Sequence, residues 1–339
     1  LTLYTSRQIG LNGRHGGMIA PVIAVGGCDL HGPQSALSPA GVGAEQISSL
    51  FWWMAGGAVL IWAVVIGIAL YATLARPRKK HDVQGARWLI IGGGIVFPTV
   101  VLTILLSYGL MLIPKLRSTG NVDLHVAVSG EMWWWRVRYT SPAGEPVELA
   151  NEIRLPVGKR VSLSLTSPDV IHSFWVPSLS GKVDMIPGRE NTLILEPTKP
   201  GTYRGVCAEY CGASHAFMAF RVVVMEPQDF EAWLTHQAQP AVSSGSPSAR
   251  QGEQAFLVNG CGACHTIRGT AADGRVGPDL THVGSRLSLG AGMLPNDAQT
   301  FARWIGHTQQ IKPEVRMPSF GMLPEEQLTA LATYLSGLK

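Results

Sequence analysis

The stretch CAEYCGASHAFM, Cys207 to Met218, sets two thiols four residues apart, an imidazole four further on and a thioether three beyond that. Soft sulfur donors favour copper, and imidazole suits it as well. The flanking runs GTYRGV and FRVVVM read as strands, and glycines occupy positions 205 and 212, so the donors sit on a loop joining two strands. One Cys, two His and a weak Met would hold a single copper ion. The second Cys changes this: two bridging thiolates can hold two copper ions side by side, each wanting one imidazole. His215 is one. His172, in SPDVIHSFWVPS, is the best candidate for the other, since it follows a strand of the same β-rich region and sits beside aromatics that keep water away. Met218 would be a weak ligand to one ion, and a backbone carbonyl could serve the other. A disulfide, or a mononuclear copper or zinc site, are the competing readings of the pair. The combined spacing C-x-x-x-C-x-x-x-H-x-x-M favours a dinuclear copper centre.

A second pair lies in CGACH, Cys261 to His265. C-x-x-C-H is the attachment signature of haem c. Cys261 and Cys264 add to the haem vinyl groups, and His265 reaches the iron from one face. The sixth ligand is commonly a methionine, which raises the reduction potential. Met317, in RMPSF, is the expected one, with Met293 and Met322 as rivals. Half a zinc site or a redox dithiol would also contain C-x-x-C, but zinc needs a second ligand pair and no other Cys remains in this part of the chain.

These loops need elements to hold them. The 339 residues suffice for two or three domains. Hydrophobic residues make up 46% and charged ones 15%, and the mean hydropathy is positive, which suggests that part of the chain lies in lipid. A net charge of +4 is modest for this length and argues against a nucleic-acid partner. Two runs without charge, 51–75 and 88–113, exceed the roughly 20 residues that span a bilayer as a helix. RPRKKHDVQGAR between them holds five Lys or Arg and one Asp, which makes that loop cytoplasmic and turns both chain ends outward. Near the start, RQIGLNGRHGGMIAPVIAVGGC resembles a secretory signal with a lipoprotein-type cleavage site, which would leave Cys28 as a lipidated N-terminus.

From Asn121 to Pro227, short Val-, Leu- and aromatic-rich runs broken by Gly, Pro and Asn read as a β-sandwich or barrel. QAQPAVSSGSPSARQ reads as a flexible linker. The last part has helical period in EEQLTALATYLSGL. The expected organisation is a signal-like segment over 1–45, a transmembrane hairpin over 46–116, a copper-binding β domain over 117–236, a linker over 237–251 and a cytochrome domain over 252–339. His125, His236, His282 and His307 read as structural or solvent-facing.

The segment SPDVIHSFWVPSLSGKVDMIPGRENTLILEPTKPGTYRGVCAEYCGASHAFM resembles subunit II of the haem–copper cytochrome c oxidases. The likeness covers most of residues 40–230, and the appended C-x-x-C-H part makes the chain similar to the cytochrome-c-fused, caa3-type version. The resemblance implies a multidomain membrane protein: a two-helix hairpin, an all-β cupredoxin-like barrel and an all-α class I cytochrome c domain. It implies a mixed-valence CuA centre on His172, Cys207, Cys211, His215, Met218 and the backbone carbonyl of Glu209. The Glu209 side chain matches a residue that helps to ligate magnesium at the interface with subunit I. In GEMWWWRVRY, Trp133 stands where the family has its electron-entry tryptophan; packing at the membrane surface is the other reading of Trp133 to Trp135. Trp134 should face away from its neighbours on a strand.

Two positions depart from the family pattern. Met132 stands where a polar residue is often found, and the second helix starts without the carboxylate that serves proton uptake in some members, so that role is not carried over. Neither expected site has an open coordination position for oxygen, so oxygen chemistry is not expected in this chain.

By resemblance, a soluble or membrane cytochrome c, or a cytochrome bc complex, reduces the haem. The electron then passes through CuA to haem a of subunit I, where haem a3 and CuB reduce oxygen and protons are pumped. Subunit III and membrane lipid are further expected partners, at a bacterial plasma membrane with both metal domains on the periplasmic face. A CuA-containing nitric oxide reductase and a stand-alone membrane-anchored electron carrier are the competing functions. Nitrous oxide reductase shares the CuA motif but needs many more histidines and lacks the hairpin.

Overall fold

A computed structural model describes residues 32–75, 83–117, 120–141 and 143–339. Cys28 and most of the signal-like segment lie outside the described residues, as does 76–82 of the basic loop. Two helices are long and apolar enough to cross a membrane, over Val42–Leu74 and Gln84–Pro114. Helix α1 (Val42–Leu74) starts ahead of the apolar run at 51 because its first turns belong to the domain beyond it. Ala40 and Ala44 are buried there, and the Ala40, Val42 and Ala44 amides donate to carbonyls of Ser178, Glu196 and Leu179.

The second span is not a uniform helix. Helix α2 (Val83–Ile91) passes through a π turn at Gly92–Val96 into α3 (Phe97–Arg117). Pro98 has no N–H to give and its ring crowds the carbonyl four residues back. The wider turn relieves that crowding, with the Phe97 amide bonded to the carbonyl of Gly92, five residues back. Thr99, Thr103 and Ser107 donate their hydroxyls to carbonyls four residues earlier, at 2.7, 2.7 and 2.8 Å, so these three hydroxyls are paired within the helix.

Ten strands follow: β1 (Leu124–Glu131), β2 (Trp134–Thr140), β3 (Pro146–Ala150), β4 (Glu152–Pro156), β5 (Val161–Thr166), β6 (His172–Trp175), β7 (Val183–Met185), β8 (Asn191–Leu195), β9 (Gly201–Cys207) and β10 (Ala219–Met225). They form two five-stranded sheets, in the orders β3-β2-β1-β5-β8 and β4-β10-β9-β6-β7. β1 and β5 are parallel, as are β4 and β10; the remaining pairs are antiparallel. Alternate residues of each strand, such as Val126 and Val128 or Leu163 and Leu165, point into the space between the sheets. Trp135 sits in that core with no exposure, edge-on to Phe174 at 5.7 Å and tilted against Phe220 at 4.8 Å. Helix α4 (Pro227–Gln237) closes the domain by packing Phe230 and Trp233 against Tyr139.

The C-terminal part holds α5 (Pro247–Val258), α6 (Ala298–Ile311) and α7 (Glu325–Ser336). Helices α5 and α7 cross closely because Gly252 has no side chain: a Cβ there would lie 2.1 Å from the Ala330 carbonyl oxygen.

The expected linker at 237–251 is shorter and better held than its composition suggests. Gln237 is the buried last residue of α4, and α5 already starts at Pro247. Ser246 caps that helix, accepting the Ala249 amide at 3.1 Å, and proline at the first helical position is a favoured start. The remaining 238–246 lies along the cytochrome domain. The Ala241 amide donates to the Arg268 carbonyl at 3.0 Å, and His282 Nε2 donates to the Gln239 carbonyl at 3.1 Å.

Candidate metal centre

Strand β9 ends at Cys207, and β10 resumes at Ala219. The Cys207 amide donates to the Met218 carbonyl at 2.9 Å, closing the neck of the loop between them. Gly212 takes a left-handed backbone, φ +111°, beneath the Trp133 indole, where a Cβ would come within 3.0 Å of the ring. His172 opens β6, and the Ala208 amide donates to the Ser173 carbonyl, which ties that strand to the loop.

The six donors expected from the sequence converge. Cys207 Sγ and Cys211 Sγ are 3.8 Å apart. His172 Nδ1 lies 3.8 Å from Cys207 Sγ, and His215 Nδ1 lies 3.4 Å from Cys211 Sγ. Met218 Sδ is 3.8 Å from Cys211 Sγ, and the Glu209 carbonyl oxygen is 3.2 Å from Cys207 Sγ. Each cysteine thus has its own imidazole and one further weak donor. His172, Cys207, Cys211 and Met218 are buried, and His215 is half-buried.

The donor set fits a soft cation pair. All four described cysteines are free thiols. Cys207 is held below the usual thiol range by the hydrogen bond from Cys211, against the effect of burial and with help from His172; Cys211 is pushed up by the same contact. Two thiolates this close cannot both shed their protons without positive charge between them, which bound metal supplies.

Asp169, which sequence reasoning missed, fixes the His172 tautomer. His172 Nε2 donates to its Oδ1 at 2.9 Å, leaving Nδ1 free toward the thiols. Burial acts to raise the Asp169 pKa, but hydrogen bonds from His172 and from the Met132 and Val170 amides outweigh it and hold the carboxylate down to about 2. The available signal was a carboxylate three residues before a candidate ligand, in SPDVIH.

A cavity of about 320 Å³ adjoins this centre. Cys261, Cys264, His265 and Met317 line it from the cytochrome domain, and Trp133 and Trp134 line it from the β domain. His265 Nδ1 donates to the Pro278 carbonyl at 2.8 Å, which leaves Nε2 free to bind a metal, and burial draws its pKa down, favouring the neutral imidazole. Gly277 is required beside it, since a Cβ would lie 2.6 Å from the imidazole. Met317 is set by Gln309, whose Nε2 donates to its carbonyl at 2.9 Å. Met293 and Met322 do not line the cavity, and Met322 is exposed. A thiol pair, a neutral imidazole and a thioether around a largely apolar space fit a covalently held haem.

Trp133 joins the two sites. Its ring lines the cavity, and its Nε1 donates to the Cys211 carbonyl at 2.8 Å. Trp134 is half-buried under the Arg136 guanidinium, 4.6 Å from its ring centroid, while Trp135 packs in the core. The Glu209 carboxylate is half-exposed and lies 3.7 Å from Lys182 Nζ.

The family described as cytochrome c oxidase subunit II, periplasmic domain, matches residues 141–226, and the cytochrome c family matches residues 249–339. The chain is similar to cytochrome c oxidase subunit 2 of Alkalihalophilus pseudofirmus, at 32% identity over 82% of this chain and 83% of the relative. It is similar to cytochrome c oxidase subunit 2 of Bacillus sp. (strain PS3), at 30% identity over 72% of this chain and 70% of the relative. Among solved structures, the periplasmic domain of subunit II of cytochrome oxidase of Bradyrhizobium japonicum matches at 32% identity, covering 34% of this chain and 94% of that one, with a TM-score of 0.33.

Proposed function

The chain belongs to the cytochrome c oxidase subunit 2 family, and from that premise we propose that it is the electron-entry subunit of a terminal respiratory oxidase. It is membrane-anchored through two apolar helices and carries a periplasmic domain. Cys261, Cys264, His265 and Met317 hold one covalent haem c. His172, Cys207, Cys211, His215, Met218 and the Glu209 carbonyl hold two copper ions as CuA. When bound, these groups supply reversible storage of single electrons.

The observation that carries this reading is the convergence of six donors on two thiols 3.8 Å apart, next to a cavity lined by C-x-x-C-H. The chain's own residues do the rest. Strand ends β6, β9 and β10 hold the donors stiffly, so little rearrangement accompanies a change of charge. Asp169 keeps Nδ1 of His172 free. The Trp133 indole spans from the cavity wall to the carbonyl of a copper ligand, which supports its role in electron entry. The half-exposed Glu209 carboxylate is available to a second chain, in keeping with a magnesium ion shared with subunit I.

Electrons come from a soluble or membrane cytochrome c or a cytochrome bc complex, and leave for haem a of subunit I. Oxygen is reduced there, at haem a3 and CuB, with proton pumping; subunit III completes the assembly. A lipid anchor at Cys28 remains part of the proposal and is checked by mass spectrometry of the mature N-terminus.

The test is a count of copper and iron in the purified protein, with the electron paramagnetic resonance of its oxidised form. Two coppers, one iron and hyperfine structure from one electron shared over two copper nuclei are expected. One copper per chain, or a localised signal, would overturn the reading.

A further inference from the structure

We propose that Lys312 is a positioning residue that latches the cytochrome domain onto the loops of the metal centre, so that electrons cross between the two sites from a fixed docked geometry. The inference rests on the electron-relay reading above and adds to it the residue that sets the relay's geometry.

Lys312 ends α6 and is buried, with 2% exposure. Its Nζ donates to the carbonyls of Trp133 at 2.6 Å, Phe217 at 2.7 Å and Gly290 at 3.2 Å. The first two acceptors belong to separate loops of the β domain, and the third to the cytochrome domain. No carboxylate forms a salt bridge with it among the described residues. A buried charge is costly unless its hydrogen-bonding capacity is met. Burial draws the Lys312 pKa down to about 7. Against that, the three carbonyls match an ammonium, which has three N–H groups to give where a neutral amine has two. A lysine in such a place does a task that an apolar side chain of the same length could not.

Its acceptors indicate the task. Trp133 is the residue whose indole donates to Cys211, and Phe217 directly precedes Met218. On the other side, Lys312 begins a strap that leads to the haem. The Pro313 carbonyl accepts the Ser214 hydroxyl at 2.6 Å, Val315 packs against the β-domain core, and Met317 lines the cavity. Six residues thus tie Met317, whose thioether would help to hold the haem, to the loop that carries Cys207 and Cys211. Two backbone amides cross the same interface: Ala219 donates to the Ala291 carbonyl at 3.0 Å, and Leu287 donates to Glu152 Oε2 at 2.8 Å. The redox step is the loss of one electron by ferrous haem and its gain by the oxidised copper pair, with no bond broken.

The experiment compares full-length wild type with Lys312→Met and Lys312→Gln in the purified complex. Amide hydrogen exchange at Ala219 and Leu287 reports the docking without relying on either cofactor. In Lys312→Met these amides should exchange roughly tenfold faster or more, while the β1 and β5 core amides stay unchanged. After photochemical reduction of the haem, transfer to copper should be independent of solvent viscosity in wild type. In Lys312→Met it should be slower and fall as glycerol is added. Should the methionine variant fail to load copper or haem, Lys312→Gln, which keeps two donors, carries the same comparison with a smaller expected loss. Wild-type exchange at both amides together with viscosity-independent transfer in the variants would overturn the latch. Absence of haem-to-copper transfer in wild type would instead overturn the relay reading, and faster exchange in the variants would then keep Lys312 as the dock between domains.

Discussion

Asp169 decides which nitrogen of His172 is free to bind metal. Its carboxylate accepts the Nε2–H hydrogen bond at 2.9 Å and is itself held by the Met132 amide at 2.8 Å. Replacing Asp169 with Ala frees the ring to rotate and change tautomer. Copper affinity should then fall roughly 10–100-fold, with Asp169→Asn less affected because it keeps an acceptor oxygen. Titration against a competing chelator measures this, and an unchanged affinity in the alanine variant would mean that the strand alone orients His172. Met317 and Met322 make a second contrast. Met317→Ala should lose the sulfur–iron absorption band and lower the haem potential, whereas Met322→Ala should do neither, since its side chain is exposed. The reverse result would reassign the ligand. The convergence of the six candidate donors was legible in the sequence because five of them fall within twelve consecutive residues, where spacing alone constrains geometry. Asp169 was half-legible, as a neighbour of one donor. Lys312 was not, because nothing near it in the chain indicates three carbonyls contributed by three distant loops.

Among the elements, the close crossing of α5 and α7 frames the cytochrome domain. Phe256 of α5 and Tyr334 of α7 have ring centroids 6.1 Å apart, and Gly252 lets the helices approach. Gly252→Ala should push α7 away, because the added methyl would meet backbone rather than a flexible side chain. The expected loss is about 2 kcal/mol, a melting midpoint lower by roughly 10 °C when unfolding is followed by the haem absorption. A variant as stable as wild type would show that the helices can slide apart without loss. The strands and both apolar spans were readable from periodicity and run length. The π turn before Pro98 was not, since proline in a membrane helix has several outcomes and neighbouring residues select among them. The helix start at Ser246-Pro247 was hidden for a different reason: the residues that cap a helix are also those that make up a spacer.

At the scale of the whole molecule, the parts form a chain of fixed contacts from membrane to haem. The first turn of α1 is hydrogen-bonded into the β domain, which sets the copper loop relative to the helix that enters the bilayer. The cytochrome domain then meets that loop through Lys312, Ser214 and Ala219, and meets strand β4 through Glu152. A tethered domain that swings would behave differently from a docked one. Its encounter with the copper loop would depend on effective concentration, which falls as about the −3/2 power of linker length. Inserting twenty Gly and Ser residues between Ser243 and Ser244 lengthens the non-helical 238–246 about threefold, and a swinging domain should then transfer electrons roughly fivefold more slowly. A docked domain should keep its rate within about twofold, because interface contacts rather than the tether hold the geometry. Flash-induced electron transfer from haem to copper in the insertion variant measures the difference. Combining the insertion with Lys312→Met sharpens it: the long tether should be silent while the latch is present and limiting once it is gone. A fivefold loss from the insertion alone would mean that the interface opens between turnovers and that the linker sets the rate.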